Sequence, residues 1–240
     1  MRVILCLAAC WVCVSASWAE DATAVPAPRP DPARFAGEIE TFAGQPPETG
    51  GIVFTGSSSI RLWERLREDF PGLPVVNRGF GGCVANDMVA YFDTIVARHE
   101  PKLLVLYVGT NDLHVPLSVE EAFADYRRFL GMVREKLPGT RIIVNSLKVA
   151  PSRMGQLPAV FEMNKRLRAL AEGDGMIRFL DSTEYLMDQD GQPIKSLFRD
   201  DQLHLSPVGY AHWLILLDPV IREEWAKVDR PKAAESTATR

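Results

Sequence analysis

Cysteine is scarce in this chain. The sequence holds 4 cysteines in 240 residues, and three of them, Cys6, Cys10 and Cys13, lie within the first 14 residues. Removal of an N-terminal segment would leave Cys83 alone, so no disulfide could then form within the chain. A lone cysteine is more often a small buried packing residue than a nucleophile. A disulfide-based scaffold is therefore excluded.

A surplus of positive charge is also missing. The chain has 27 Lys and Arg against 31 Asp and Glu, a formal net charge of −4, and the two signs are interspersed. A nucleic-acid partner would require a basic stripe, so this balance argues against one. Because 47% of the residues are hydrophobic, the chain can bury one sizeable core, and we expect a single globular domain.

The N-terminal apolar run is too short for a membrane anchor. Residues 3–14 are apolar, follow the basic start Met1-Arg2 and precede a small-x-small site at residues 17–19. This pattern is typical of a signal peptide, whereas a spanning helix needs about 18 or more apolar residues. We predict a signal peptide over residues 1–19 and a secreted or periplasmic protein. Residues 7–10 also resemble a lipoprotein box, which leaves lipid anchoring as a minor alternative.

Polar segments flank the rest of the sequence. Residues 20–33 are rich in proline and alanine without periodic apolar residues, which predicts a flexible leader. Residues 227–240 are polar and predict a disordered tail. The folded domain is therefore expected over residues 34–226, and it contains no internal repeat.

Short apolar runs alternate with segments of helical periodicity. The apolar runs are residues 52–55, 75–77, 103–108, 141–147 and 177–180. The helical patterns are residues 60–70, 85–99, 119–137, 157–171 and 207–225. Near-continuous apolar runs are typical of parallel strands buried on both faces, so the alternation predicts an α/β fold. Ligands of such sheets bind at the carboxyl ends of the strands.

A serine-rich motif follows the first predicted strand. Gly56 precedes Ser57, Ser58 and Ser59, and a helical pattern then begins at Ile60. A serine on a strand-to-helix turn faces the positive end of the helix dipole, which favours an oxyanion nearby. Serines that only cap the helix would give the same pattern. Ile60 stands where a G-x-S-x-G elbow needs its second glycine, so the α/β-hydrolase elbow is disfavoured.

Two further motifs follow the second and third strands. Residues 77–83, NRGFGGC, contain glycines that let backbone N–H groups approach a ligand, although a plain turn explains them equally well. Residues 109–112, GTND, include Asn111, whose amide can donate into a site, and Asp112, which can fix the loop. An ordinary Asx turn is the alternative. His114 could border the same site.

A DxxH motif precedes the last helical pattern. On a turn, Asp201 can accept the N–H of His204, fix its tautomer and leave the other ring nitrogen free as a base. An exposed acid beside a capping histidine is the alternative, and Asp200 is a second candidate partner, although the spacing favours Asp201. Further metal ligands at a recognisable spacing are missing, so no metal is predicted. His99 and His212 are interpreted as structural.

In this order, the four motifs resemble those of the SGNH or GDSL-like hydrolases, a family of esterases and lipases. The resemblance spans about residues 50 to 215, and the GTND and DxxH blocks together are specific. It implies a three-layer α/β/α sandwich with a five-stranded parallel sheet of flavodoxin-like topology. It also implies a Ser-His-Asp acyl-enzyme mechanism without cofactor or metal.

The catalytic roles of the family carry over residue by residue. Ser58 matches the nucleophile, and Asp201 and His204 match the other two members of the triad. The oxyanion hole would consist of the Ser58 and Gly82 N–H groups and the Asn111 amide.

The sequence departs from the family pattern in two places. Ser57 stands where many members have aspartate, and aspartate often follows the oxyanion glycine where this chain has Cys83. Each change could alter local hydrogen bonding or substrate preference. The run of three serines also leaves open whether Ser57, Ser58 or Ser59 is the nucleophile.

The expected reaction is hydrolysis of carboxylic esters. The connections that carry the motifs are short and include no long apolar lid, which favours small acyl groups, such as acetyl esters of carbohydrates, over long chains. Lysophospholipid or thioester hydrolysis is the alternative within the family. The expected partner is a small-molecule or glycan ester, without nucleic acid or stable membrane insertion.

Two other classes of protein compete with an esterase. A flavodoxin-like cofactor carrier could hold a flavin phosphate on the loop at residues 55–59, but the GTND and DxxH blocks would then have no role. A non-catalytic glycan-binding protein could keep the fold without the chemistry. The complete set of triad and oxyanion residues argues against both.

Overall fold

A computed structural model describes residues 27–229 of the chain. The predicted signal peptide, residues 20–26 of the leader and residues 230–240 of the tail lie outside the described residues. The last helix ends at Val228, two residues into the predicted tail. The domain boundaries expected from the sequence therefore stay predictions.

Five parallel strands form one sheet in the order β2-β1-β3-β4-β5. They are β1 Ile52–Gly56, β2 Val75–Gly79, β3 Leu103–Tyr107, β4 Arg141–Asn145 and β5 Ile177–Leu180. Every residue of β1 and of the central strand β3 is buried, as expected for parallel strands covered on both faces. The predicted five-stranded parallel sheet is confirmed.

Helices cover both faces of the sheet. They are α1 Ala36–Gly44, α2 Ser58–Arg61, α3 Leu66–Asp69, α4 Ala85–Ala90, α5 Phe92–Ile95, α6 Val119–Lys136, α7 Leu157–Glu172 and α8 Pro207–Val228. Alternate strand residues belong to two separate hydrophobic clusters: Val53 packs with residues of α4 to α7, and Phe54 packs with residues of α2, α3 and α8. The three-layer α/β/α sandwich is therefore confirmed. Across residues 27–229, no helix is long and apolar enough to cross a membrane.

Two predicted helices are interrupted. The pattern over residues 60–70 forms α2 and α3, and the pattern over 85–99 forms α4, α5 and a 3-10 helix, Ala97–His99. The backbone N–H of Trp63 donates to the carbonyl of Ile60, three residues back, which closes a tighter turn where α2 ends. The apolar side chains are buried on either side of each break, so periodicity alone could not reveal it.

The described part of the predicted flexible leader lies against α6. The Ala27 N–H donates to Glu121 Oε1 at 2.7 Å, and Arg29 Nε donates to Asp125 Oδ2 at 2.9 Å. Composition did not indicate these contacts because they depend on acidic side chains almost a hundred residues away. Ala27 and Arg29 of the predicted leader thus have defined partners in the structure.

Candidate active site

Three of the four motifs follow the carboxyl ends of neighbouring strands, and the fourth, DxxH, precedes the last helix. Ser58 is the first residue of α2, directly after β1, and Gly82 and Asn111 follow β2 and β3. Because β1 lies between β2 and β3 in a parallel sheet, these three loops share one edge. The turn that carries His204 reaches the same edge, since the His204 side chain contacts Ser58.

Ser58, His204 and Asp201 form a chain of hydrogen bonds. Ser58 Oγ lies 3.0 Å from His204 Nε2, and His204 Nδ1 lies 2.6 Å from Asp201 Oδ2. An ionised carboxylate can only accept, so Nδ1 donates to Asp201 and the unprotonated Nε2 accepts from the Ser58 hydroxyl. Both distances are within the reach required for proton transfer. The arrangement can remove the Ser58 proton.

The turn at residues 201–204 orients Asp201. Gln202 has a left-handed backbone with φ of 54°, and Asp201 Oδ1 accepts the backbone N–H groups of Leu203 and His204, both at 2.9 Å. Burial opposes ionisation, but the hydrogen bonds from the His204 side chain and from these two N–H groups outweigh it and lower the pKa of Asp201 to about 2. Asp201 is therefore ionised at neutral pH. Both Asp200 and Asp201 are exposed, and the His204 ring bonds to Asp201.

The three adjacent serines differ in exposure. Ser57 and Ser59 are both 1% exposed, whereas Ser58 is partly exposed. The hydroxyl of Ser59 accepts a hydrogen bond from Lys148 Nζ at 2.9 Å. A substrate can reach only a hydroxyl that solvent can reach, so these environments favour Ser58 as the nucleophile.

Lys148 is a buried lysine that the sequence motifs did not indicate. It is 3% exposed, and its Nζ lies 3.3 Å from Tyr107 Oη in addition to its bond to Ser59. Within residues 27–229 it forms no ion pair. The available signal was a lysine between the apolar residues Leu147 and Val149, just after β4, since lysine is almost never fully buried without a partner.

Two hydrogen bonds join the glycine loop to the GTND loop. Asn111 Nδ2 donates to the carbonyl of Cys83 at 3.0 Å, and Asp112 Oδ1 accepts the Ala85 N–H at 2.8 Å. Gly82 has φ of 83°, a left-handed conformation that favours glycine. The predicted loop-fixing contact of Asp112 is thus present, and it sets the distance between the two loops that carry Gly82 and Asn111.

Asp112 is an unusual carboxyl group. It is 1% exposed, and its Oδ2 has no hydrogen-bond partner among the described residues. Burial is the main cause that raises the pKa of Asp112 to about 7, and the nearby carboxylates Asp125 and Asp87 act in the same direction. Asp112 therefore keeps its proton over a pH range in which an exposed aspartate is ionised.

Arg153 is the second residue near the site that the sequence motifs did not indicate. It lies in a 3-10 helix, Pro151–Gln156, between β4 and α7. Its Nη1 donates to the Thr110 carbonyl at 3.0 Å and to Asn111 Oδ1 at 3.1 Å. No motif in the sequence marks Arg153, because its partners are more than 40 residues away along the chain.

The other candidate side chains make contacts away from Ser58. These residues are His99, His114, His212 and Cys83. His99 is buried and accepts from Arg78 Nε at 3.0 Å, His114 contacts the Gln156 amide, and His212 contacts the Tyr185 carbonyl. Cys83 is buried, and burial raises the pKa of its thiol. Among residues 27–229, no group of three or more His, Cys, Asp or Glu could hold a metal ion.

Solved structures of hydrolases share this architecture. A GDSL-like lipase from Bacteroides thetaiotaomicron superimposes with a TM-score of 0.65 at 21% identity, covering 80% of this chain and 98% of that one. Family 3 carbohydrate esterases from Talaromyces cellulolyticus (TM-score 0.60, 14% identity) and Clostridium thermocellum (TM-score 0.58, 17% identity) each match 75% of this chain and 100% of their own. At these identities the likeness shows the fold.

Family membership rests on the sequence itself. No curated protein matches the chain. The family model of the GDSL-like Lipase/Acylhydrolase family, however, matches residues 44–212, well over half of the chain. This match includes the serine-rich motif, both loops that follow β2 and β3, and the DxxH turn. The chain accordingly belongs to the GDSL-like lipase and acylhydrolase family and is a serine ester hydrolase.

Proposed function

We propose that the chain is an exported esterase that hydrolyses short-acyl esters, in which Ser58, His204 and Asp201 form the catalytic triad. The observation that carries this proposal is the 3.0 Å contact between Ser58 Oγ and His204 Nε2, continued at 2.6 Å from His204 Nδ1 to Asp201 Oδ2. Export is proposed from the signal-peptide pattern of residues 1–19.

The proposed reaction has two acyl-transfer steps. His204 Nε2 takes the Ser58 proton while Ser58 Oγ bonds to the ester carbonyl carbon, and the carbonyl oxygen becomes an oxyanion. Collapse of this intermediate breaks the bond to the alcohol, which leaves with the proton from His204. Water then repeats the sequence on the acyl-enzyme: His204 accepts the proton of the water, the acid is released, and Ser58 regains its proton.

Three donors would hold the oxyanion. They are the backbone N–H groups of Ser58 and Gly82 and the Asn111 amide nitrogen. The hydrogen bond from Asn111 to the Cys83 carbonyl uses one of the two hydrogens of that nitrogen and leaves the other for substrate. Asp201, ionised at neutral pH, would keep the His204 tautomer correct and stabilise the imidazolium that forms in each step.

The proposed substrates are acetyl and other short-acyl esters, including those of carbohydrates. Two of the four connections that carry the motifs are short: α2 begins two residues after β1 ends, and α4 begins six residues after β2 ends. The expectation that all of them are short was wrong, since residues 108–118 separate β3 from α6 and residues 181–206 separate β5 from α8. The short connections leave little chain to build the apolar groove that a long acyl group would need, and the helices within residues 181–206 are two 3-10 helices of three residues each. Two of the solved structures with this architecture are named as carbohydrate esterases, which supports the same substrate class.

A series of p-nitrophenyl esters tests the substrate proposal. We expect kcat/KM to be highest for the acetyl ester and to fall through the butyryl, octanoyl and palmitoyl esters, because a longer chain gains no further buried contact. Acetate release from acetylated xylan should also be detectable. A kcat/KM that rises toward the long chains would contradict the proposal and favour a lipase or lysophospholipase.

A further inference from the structure

We propose that Arg153 is a positioning residue of the oxyanion hole, which fixes the Asn111 amide so that its nitrogen faces the reacting carbonyl. The proposal rests on the proposed function, since it assigns a task within that active site. Its basis is a contact outside the four family motifs: Arg153 Nη1 donates to Asn111 Oδ1 at 3.1 Å and to the Thr110 carbonyl at 3.0 Å.

The Asn111 amide is held at both ends. Its oxygen accepts from Arg153, and one hydrogen of its nitrogen is donated to the Cys83 carbonyl at 3.0 Å. A rotation of the amide by half a turn would place the NH2 group against the guanidinium and the oxygen against the Cys83 carbonyl. Both contacts would then be repulsive, because donors would meet donors and acceptors would meet acceptors. Arg153 therefore selects the orientation that offers a donor to substrate.

The charge of Arg153 also acts on this donor. A cation bonded to the amide oxygen polarises the group and strengthens the hydrogen bond that its nitrogen can give to a developing negative charge. Arg153 is half-buried and forms no ion pair within the described part of the chain, and its burial lowers the pKa of the guanidinium. Since no carboxylate neutralises it, its positive charge remains available at the oxyanion site.

The segment that carries Arg153 is anchored to both catalytic loops. The backbone N–H and the hydroxyl of Ser152 both donate to the Gln202 carbonyl at 3.0 Å. At the other end of the 3-10 helix, Gln156 Nε2 donates to the Leu113 carbonyl at 3.0 Å. The 3-10 helix thus connects the DxxH turn to the GTND loop, which holds the guanidinium in a defined place relative to Asn111.

Kinetics on the neutral substrate p-nitrophenyl acetate test the proposal. Arg153→Met should lower kcat about 10- to 100-fold with KM within about twofold, because one charge-assisted hydrogen bond that acts on the transition state is lost. Arg153→Lys should restore part of kcat. Asn111→Ala should lower kcat about 10²- to 10³-fold, and adding Arg153→Met to it should cause little further loss, because the two residues act as one unit.

Three kinetic results would overturn the proposal. One is a kcat of Arg153→Met equal to that of the unaltered enzyme. Another is a loss of kcat in the double variant equal to the product of the losses in the two single variants, which would show that Arg153 acts independently of Asn111. The third is a rise in KM confined to esters that carry an anionic group, which would make Arg153 a substrate-binding residue.

A second readout does not require activity. In ¹⁵N-labelled protein, the two side-chain amide hydrogens of Asn111, identified by their loss in Asn111→Ala, should be sharp, and Arg153→Met should shift or broaden them. An unchanged amide signal in a folded Arg153→Met protein would refute the positioning role. If the unaltered protein hydrolysed no ester, the proposed function would fail, while this measurement would still decide whether Arg153 orients Asn111.

Discussion

Asp201→Asn is expected to lower kcat about 10⁴-fold while leaving the fold intact. Asparagine can still accept the Leu203 and His204 N–H groups that Asp201 Oδ1 accepts at 2.9 Å, so the turn should persist. Its NH2 group, however, would face His204 Nδ1 and favour the tautomer that carries its proton on Nε2, which cannot accept the Ser58 proton. A loss of this size is typical of a triad that holds the wrong tautomer. Steady-state hydrolysis of p-nitrophenyl acetate measures it.

Asp200→Asn is the matched control for Asp201→Asn. Asp200 is the adjacent residue with the same side chain and is exposed like Asp201, but the His204 ring bonds to Asp201. We expect kcat within about twofold of the unaltered enzyme, as for a surface substitution outside the machinery. If Asp200→Asn carried the large loss and Asp201→Asn did not, the choice of acid in the triad would be wrong.

Gly56→Ala is expected to lower the free energy of unfolding by more than about 4 kcal/mol, or to prevent folding. Gly56 is the last residue of β1 and has φ of 134°, a conformation that side-chain-bearing residues rarely adopt. A Cβ there would lie 1.9 Å from the Tyr107 carbonyl oxygen on the neighbouring strand β3. Neither backbone can move without separating strands at the edge that carries Ser58.

Gly131→Ala is the control for a glycine without these constraints. Gly131 is exposed within α6, and a Cβ there would meet no atom within 4 Å. Alanine is favoured over glycine in a helix by about 1 kcal/mol, so this variant should be more stable than the unaltered protein. Urea denaturation followed by circular dichroism measures both variants. Comparable stability of the two would contradict the close approach of β1 and β3 at Gly56.

The fold could be predicted because its signals are local and repeated. The apolar run at residues 52–55 became β1 Ile52–Gly56, and the run at 177–180 became β5 Ile177–Leu180 without change. The helical pattern over residues 119–137 became α6 Val119–Lys136, and a capping box between Ser118 and Glu121 fixes its start. Helix breaks escaped prediction because a side chain can be buried whether or not the backbone hydrogen bonds are continuous.

In the candidate site, too, contacts between residues close in sequence could be predicted, whereas contacts between distant residues could not. Asp201 and His204 are three residues apart, so the geometry of their contact follows from one turn. The contacts of Lys148 and Arg153 could not be predicted, because only the folded sheet brings each residue close to its partner. Lys148 contacts Ser59, 89 positions away in the sequence, and Arg153 contacts Asn111, 42 positions away. Sequence motifs find residues that contact substrate more readily than residues that support them.

Labelling of the protein with a fluorophosphonate tests the central claim most directly. Intact mass spectrometry of the purified protein followed by peptide mapping should find one adduct, on Ser58. The adduct should be absent from a folded Ser58→Ala variant. This result is expected because Ser58 is the partly exposed serine whose hydroxyl bonds to His204. An adduct on Ser57 or Ser59, or none on a folded protein, would contradict the assignment of Ser58 as the activated nucleophile.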